Sequence, residues 1–196
     1  MNDRDQLRRT LRNKRRSLDS GAREKASLAV CENIAASRWY QNSRRIAFYL
    51  SNDGEIDLQP LIEHAWQNHK HCFLPVLGIR HTQRLWFLPY TANTPLAANR
   101  FGIPEPVHAN RERRFKPMTL DLILMPLVAF DTQGNRLGMG GGFYDRTLSF
   151  LNWRQHWQRP RLIGTAYDFQ QQAQLDSRDW DVALHGIACN TFFLQI

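Results

Sequence analysis

An α/β fold, a sheet with helices on both faces, is what the sequence predicts, and three observations predict it. Short apolar runs of strand length, at residues 45–50 (RIAFYL), 72–77, 121–126 and 161–167, alternate with stretches whose apolar residues recur at helical spacing. The run at 121–126 leads into a glycine-rich loop and then a helical stretch, an order found where backbone amides gather at a helix start. The chain has 196 residues, 42% hydrophobic and 22% charged, with no repeat, linker or low-complexity tract, so residues 1–196 read as one domain with a real core.

Residues 3–18 are expected to form a basic helix with Leu7, Leu11 and Leu18 on one face, and one or two of Arg4, Arg8 and Arg12 turned to a ligand. Ser20 is the expected N-cap of a helix over 22–36 that turns Ala26, Ala29, Val30 and Ile34 inward. After the strand at 45–50, Ser51 to Gly54 read as a turn, and Glu55 stands at the mouth of the next connection, where α/β sheets collect ligands. Asp57 can cap a helix over 58–69, and His64, His69 and His71 read as surface histidines. The run 72–77 pairs with 84–88 in a hairpin through a polar turn. Residues 94–106 read as an irregular, proline-stiffened loop (FGIPEP at 101–106, beside Arg100) suited to walling a pocket, and 107–118 as polar and basic. The strand at 121–126 is the central one. A helix is expected from Phe143 to about residue 157, a strand at 161–167 and a last strand within 186–193.

The loop itself, DTQGNRLGMGGGFYDR at 131–146, holds four of the eleven glycines, at Gly138, Gly140, Gly141 and Gly142. It lacks the Gly-Lys-Ser/Thr of a P-loop and the spacing of the dinucleotide fingerprint. Glycines let an anion approach the backbone, Arg136 can add a charge-assisted contact to phosphate, and Asp145 offers the hard oxygens that Mg²⁺ prefers. The net charge is +8, and residues 1–16 alone contribute seven basic and two acidic side chains, so the basicity is mostly that of the first helix. Such a patch suits nucleic acid, an acidic surface or a small polyanion alike. Three scattered cysteines, Cys31, Cys72 and Cys189, read as core residues of a reduced, cytoplasmic protein and make no metal pattern. No apolar run approaches the roughly eighteen residues of a membrane span, and the N-terminus has no apolar signal core.

With these blocks assembled, the chain resembles the 5-formyltetrahydrofolate cyclo-ligase family (5,10-methenyltetrahydrofolate synthetases). The blocks are LRRTLRNKRRSL, AFYLSNDGEID, FGIPEP, DLILMPLVAFD, the specific GNRLGMGGGFYDR, and a late aspartate before the last strand. The resemblance implies a three-layer α/β/α sandwich with a mainly parallel sheet, as in ribose-phosphate isomerases and CoA transferases. It implies an ATP- and Mg²⁺-dependent ring closure giving 5,10-methenyltetrahydrofolate, ADP and phosphate. Carried over, it implies ATP contacts at Arg4, Arg8, Arg136, Leu137, Gly138, Met139, Gly140, Gly141, Gly142, Phe143 and Tyr144. Folate contacts fall on Leu50, Glu55 and 139–143, catalytic roles on Arg136, Tyr144 and Asp145, and Mg²⁺ ligands on Asp145 and Asp181, with Asp179 a rival for Asp181 across Trp180. Where many members carry Arg or Lys within the loop, this chain has Met139 and Gly141, which leaves Arg4, Arg8, Arg100, Arg136 and Arg146 to meet phosphate charge. The expected partners are reduced folate and ATP, with no nucleic acid and no membrane, and the expected form is a monomer. Two alternatives stay open: a nucleic-acid-binding module built on the first helix, and a phosphosugar isomerase-like enzyme on the same fold.

Overall fold

The computed structural model describes residues 3–78, 83–107, 114–153 and 159–196. Among them a seven-stranded sheet runs in the order β11-β10-β9-β6-β1-β2-β3. Its strands are β1 (Arg45–Ala47), β2 (His71–Leu77), β3 (Leu85–Tyr90), β6 (Leu122–Pro126), β9 (Arg161–Thr165), β10 (Gly186–Ala188) and β11 (Phe193–Gln195). The five inner strands are mutually parallel, and the two edges, β3 on β2 and β11 on β10, are antiparallel. The expected central strand, β6, is the middle one. The stretch read as a single last strand over 186–193 is instead two, because the chain reverses at Asn190–Phe192 and returns as β11.

Alternation along the strands divides the core between two layers. Ile46, Phe48, Leu74, Leu122, Leu124 and Ile163 pack with α2 (Ser20–Ala36), α3 (Arg38–Gln41) and α4 (Gln59–Gln67). Ala47, Phe73, Ile123, Met125 and Leu162 pack toward α5 (Phe143–Leu148) and the 3₁₀ turn at Ser149–Trp153. The first helix, α1 (Asp3–Arg16), lies outside both layers, with Leu7 and Leu11 on Val128, Ala129 and Leu137. All three cysteines are free and buried.

Several helix ends differ from expectation. Asp19, not Ser20, caps α2, its Oδ1 accepting the Ala22 amide at 2.8 Å. Leu58 occupies the cap position of α4, where Asp57 reaches only the Gln59 amide, at 3.1 Å. The helix expected from Phe143 to about 157 stops as an α-helix at Leu148. The Thr147 hydroxyl bonds back to the Phe143 carbonyl at 2.6 Å and accepts the Leu85 amide at 2.8 Å, which competes with a regular helical ladder. The end of that helix, the hairpin turn at 79–82 and the basic stretch at 108–113 lie outside the described residues. The loop at 94–106 is not irregular throughout: β4 (Leu96–Ala98) pairs antiparallel with β5 (Pro104–Pro106).

The central strand does not feed the glycine loop directly. A small hairpin, β7 (Ala129–Phe130) and β8 (Arg136–Leu137), intervenes. Its turn is organised by the fully buried Asp131 carboxylate, which accepts the amides of Gln133, Asn135 and Leu175 and the Asn135 side chain. Gly134 takes φ +86, and a Cβ there would stand 2.9 Å from the Leu184 carbonyl oxygen, so glycine is required.

Candidate functional site

In chain order β1, β2 and β3 build one side of the sheet, and β6, β9 and β10 build the other. The order therefore reverses between the neighbours β1 and β6. At such a switch point the two connections leave in opposite directions and open a crevice at the carboxyl ends of the strands. A cavity of about 730 Å³ lies there. Tyr49, Leu50, Asn52 and Glu55 border it after β1, and Met125 and Pro126 at the end of β6. The ladder of β1 stops at Ala47, sooner than the expected 45–50 strand, as the chain turns into this crevice.

Three further walls close the cavity. Arginines 4, 8, 12 and 16, one per helical turn of α1, form a basic stripe along it. The β4–β5 hairpin supplies Asn99, Phe101, Ile103, Pro104 and Glu105. Glu105 locks that hairpin by accepting the Leu77 amide at 3.0 Å and the Asn99 side chain at 2.7 Å. The glycine loop contributes Gly138, Met139, Gly140, Gly141, Gly142, Phe143, Tyr144 and Asp145, with Arg178, Trp180 and Asp181 facing it. Phe101 meets Phe143 edge to face at 6.0 Å, which joins hairpin and loop.

The loop is fixed from outside by arginines. Arg8 Nε donates to the Gly138 carbonyl at 2.9 Å, and Arg146 donates to that of Gly141. Gly142 leads into α5 with φ +61. That helix has only six residues, so its dipole is a small part of any attraction for anions.

Arg136 is not a free cation. One Nη donates to the Val182 carbonyl and the other to Asp145 Oδ1 at 2.5 Å, and its side chain is 7% exposed. Burial pulls its pKa down against the carboxylates of Asp145 and Asp181. It therefore holds Asp145 and the Val182 backbone together, and the Val182 amide also reaches Asp145 Oδ1, at 3.4 Å. Asp181 stands at the same end, 3.7 Å from Arg4 Nη2, with Oδ2 accepting the Arg178 amide at 3.1 Å. Asp179 is exposed and does not border the cavity, whereas Asp181 does. Among the described residues no group of three or more His, Cys, Asp or Glu is arranged to hold a metal. Two cavity-facing carboxylates nevertheless fit Mg²⁺, which is commonly bound by one or two carboxylates together with substrate phosphates and water.

Glu55 lies at the other end. Its side chain is 10% exposed, its Oε2 accepts the Asn52 amide at 3.2 Å, and Arg15 Nη2 is 3.8 Å from Oε1. Burial pushes its pKa up to about 7, against the opposing pull of Arg15 and the Asn52 amide. Half-buried Tyr144 has its phenol pushed well above the usual range, first by desolvation and then by the Glu55 carboxylate. Tyr49, its phenol likewise raised by burial, donates to the Ile56 carbonyl at 2.8 Å and shares a 2.6 Å bond with Thr165, tying the Glu55 turn to the sheet.

The sequence-predicted residues thus divide. Arg4, Arg8, Leu50, Glu55, Arg136, residues 138–145 and Asp181 surround one cavity. Leu137 does not: it is buried under Leu11, because alternation along β8 turns it away from Arg136. Arg100 stacks on Phe101, and Arg146 is engaged by the Gly141 carbonyl, both off the cavity lining. Sequence reasoning passed over Tyr49, Asp53, Arg15 and Arg16. For Arg16 a signal existed in the four-residue spacing of Arg4, Arg8, Arg12 and Arg16 along α1; Arg15 lies off that spacing.

A family model described as the 5-formyltetrahydrofolate cyclo-ligase family matches residues 1–190. A 5-formyltetrahydrofolate cyclo-ligase of Haemophilus influenzae is 40% identical over 186 residues, covering 94% of this chain and 96% of its own. One from Escherichia coli is 44% identical over 143 residues, covering 72% and 75%. The solved structure of Aquifex aeolicus 5,10-methenyltetrahydrofolate synthetase superposes with a TM-score of 0.81 at 29% identity, over 98% of this chain and 92% of that one.

Proposed function

The chain belongs to the 5-formyltetrahydrofolate cyclo-ligase family and has that family's activity, and from this premise we propose how the cavity divides the work. The observation that carries the reading is one cavity with Arg4, Arg8, the glycine loop and two carboxylates at one end, and at the other the buried Glu55 carboxylate beside apolar walls. ATP occupies the first end and the folate ring the second. An N-formyl group is amide-like and resists attack. Transfer of the γ-phosphoryl group to the formyl oxygen, with ADP leaving, turns that oxygen into a leaving group. N10 then attacks the formyl carbon, and the C–O bond breaks to release phosphate as the ring closes.

Arg4 and Arg8 and the backbone of the glycine loop bind the triphosphate, so that α1 supplies the charge that Met139 and Gly141 do not. Arg136 holds Asp145 in place, and Asp145 and Asp181 are the residues that would hold Mg²⁺. An ion bound there would offset the negative charge of the nucleotide phosphates. The Glu55 carboxylate accepts the paired N–H donors of the pterin edge, Leu50 and Phe143 pack on the ring, and Tyr144 orients the reacting groups between the two ends. Phe101, Met139 and Trp180 at the rim limit the entry of water, which competes with N10.

Arginines 4, 8, 12 and 16 border this cavity rather than a flat outer face, which weighs against the nucleic-acid reading. No helix among the described residues is long and apolar enough to cross a membrane. With three free buried cysteines, a cytoplasmic protein acting as a single-domain monomer is the form proposed. The test is the ultraviolet absorbance of the conjugated methenyl product, with 5-formyltetrahydrofolate and Mg²⁺ present and ATP added or withheld. An ATP-dependent rise is expected. Turnover at the same rate without ATP would overturn the phosphoryl-transfer reading.

A further inference from the structure

We propose that Asp53 is a positioning residue: it clasps α1 to the Glu55 turn and so holds the two ends of the cavity in fixed relation. The inference rests on the reading of Arg4 and Arg8 as nucleotide contacts. Three arginines from the last turns of α1 converge on one carboxylate. Arg12 Nε and Arg15 Nη2 each stand 2.8 Å from Asp53 Oδ2, and Arg16 Nε donates to Oδ1. Arg15 Nε also donates to the Asp53 carbonyl at 2.8 Å, and its Nη1 reaches the Leu127 carbonyl at 3.3 Å. Arg15 is 1% exposed, so its charge depends on these acceptors, and Asp53 supplies the closest of them.

The turn needs such a tie. It stands between the main cavity and a second hollow of about 690 Å³, and Asn52, Asp53 and Glu55 border both, so its firm contacts are with α1, where Gly54 lies against the Arg15 backbone, and with the Tyr167 hydroxyl, which donates to the Gly54 carbonyl at 3.1 Å. Asp53 itself adopts φ +55, a conformation that costs a residue with a side chain. Glycine would fit that backbone more easily and asparagine would tolerate it, but neither carries the charge that three arginines require. Burial alone would raise the Asp53 pKa; the bonds from Arg12, Arg16 and Arg15 outweigh it and leave the carboxyl below its ordinary value. Farther along the same helix, Arg8 bonds the Gly138 carbonyl and Arg4 approaches Asp181. Asp53 thus works through α1: loosening one end of the helix frees the arginines at the other.

The experiment compares wild type with Asp53→Asn for kcat, for KM toward ATP and 5-formyltetrahydrofolate, and for hydrogen–deuterium exchange of residues 3–16. The loss of charged hydrogen bonds is expected to raise KM for ATP about tenfold, with kcat changed less than about threefold. The α1 amides are expected to exchange faster while those of the sheet do not. In Asp53→Asn/Arg8→Gln the two effects on KM are expected to be less than additive. Faster α1 exchange with unchanged KM would make the clasp merely structural. A raised KM with unchanged exchange would mean that Asp53 touches ligand directly. Either result overturns the proposal. Arg8→Gln alone tests the underlying reading: unchanged KM for ATP there refutes the nucleotide assignment, whatever α1 exchange shows. Should Asp53→Asn fail to fold, Arg16→Gln, at a half-exposed arm of the clasp, must show the same pattern more weakly for the proposal to stand.

Discussion

Replacing Glu55 with glutamine should make the protein more stable at alkaline pH and a poorer enzyme. In the folded chain the Glu55 pKa rises from 4.5 to about 7, chiefly because burial disfavours the charged form. The folded state therefore binds this proton more tightly than the unfolded state does. The stability that Glu55 contributes is fully present below about 4.5 and is lost as pH rises through about 7. At about 1.4 kcal/mol for each pH unit, the rise from 4.5 to about 7 corresponds to about 3 kcal/mol at pH 8. Glutamine keeps an acceptor for the Asn52 amide but removes the charge near Arg15, so a net gain of about 2 kcal/mol is expected. For a chain of this length, that raises Tm by roughly 4–8 °C at pH 8. At pH 4.5, where both versions are largely neutral, the two melting points should nearly coincide. Thermal melts followed by circular dichroism at pH 4.5, 6 and 8 read this directly. A Tm difference that does not grow with pH would refute the assignment of a buried, reluctantly ionised Glu55. In the same protein KM for 5-formyltetrahydrofolate should rise, and in wild type that KM should rise as pH falls below about 7.

Other changes separate positioning from packing. Asp145→Asn keeps an acceptor for Arg136 but weakens a proposed metal ligand. Turnover should fall by roughly 100-fold or more, with a lower Tm because buried Arg136 loses its paired charge, and near-normal kcat in the folded variant would remove Asp145 from the site. Gly141→Ala places a Cβ 2.8 Å from the Phe143 ring, pushing it off Phe101. KM for the folate should rise several-fold while stability changes by less than about 1 kcal/mol, checked by paired kinetics and urea unfolding. Tyr49→Phe strands the Ile56 carbonyl and should cost about 1–2 kcal/mol in urea unfolding, whereas an unchanged midpoint would deny this bond its role in holding the Glu55 turn.

Much of this protein is written locally in its chain. Strands within 45–50, 72–77, 121–126 and 161–167 and the helices that cover one face follow from apolar spacing, because burial on a sheet or helix imposes a period that any window of sequence displays. The glycine loop and its flanking Arg136, Tyr144 and Asp145 are likewise visible, since the residue types state what the backbone must do there. Contacts between distant segments are not written in this way. Nothing near residue 136 announces that the Val182 carbonyl and Asp145 will consume both ends of Arg136. Nor does anything near Leu137 say that α1 will cover it. The intervening β7–β8 hairpin depends on Asp131 being buried among amides as far away as Leu175, and the split of the last strand depends on β11 finding β10. The reversal of strand order between β1 and β6 creates the cavity, and only assembly of the whole sheet produces it. Asp53 shows the difference most plainly. Its sequence neighbours make it a turn residue, and its role comes from three arginines about forty positions earlier. Local pattern encodes what each segment buries, whereas charge pairing across the chain is decided only when packing has brought the segments together.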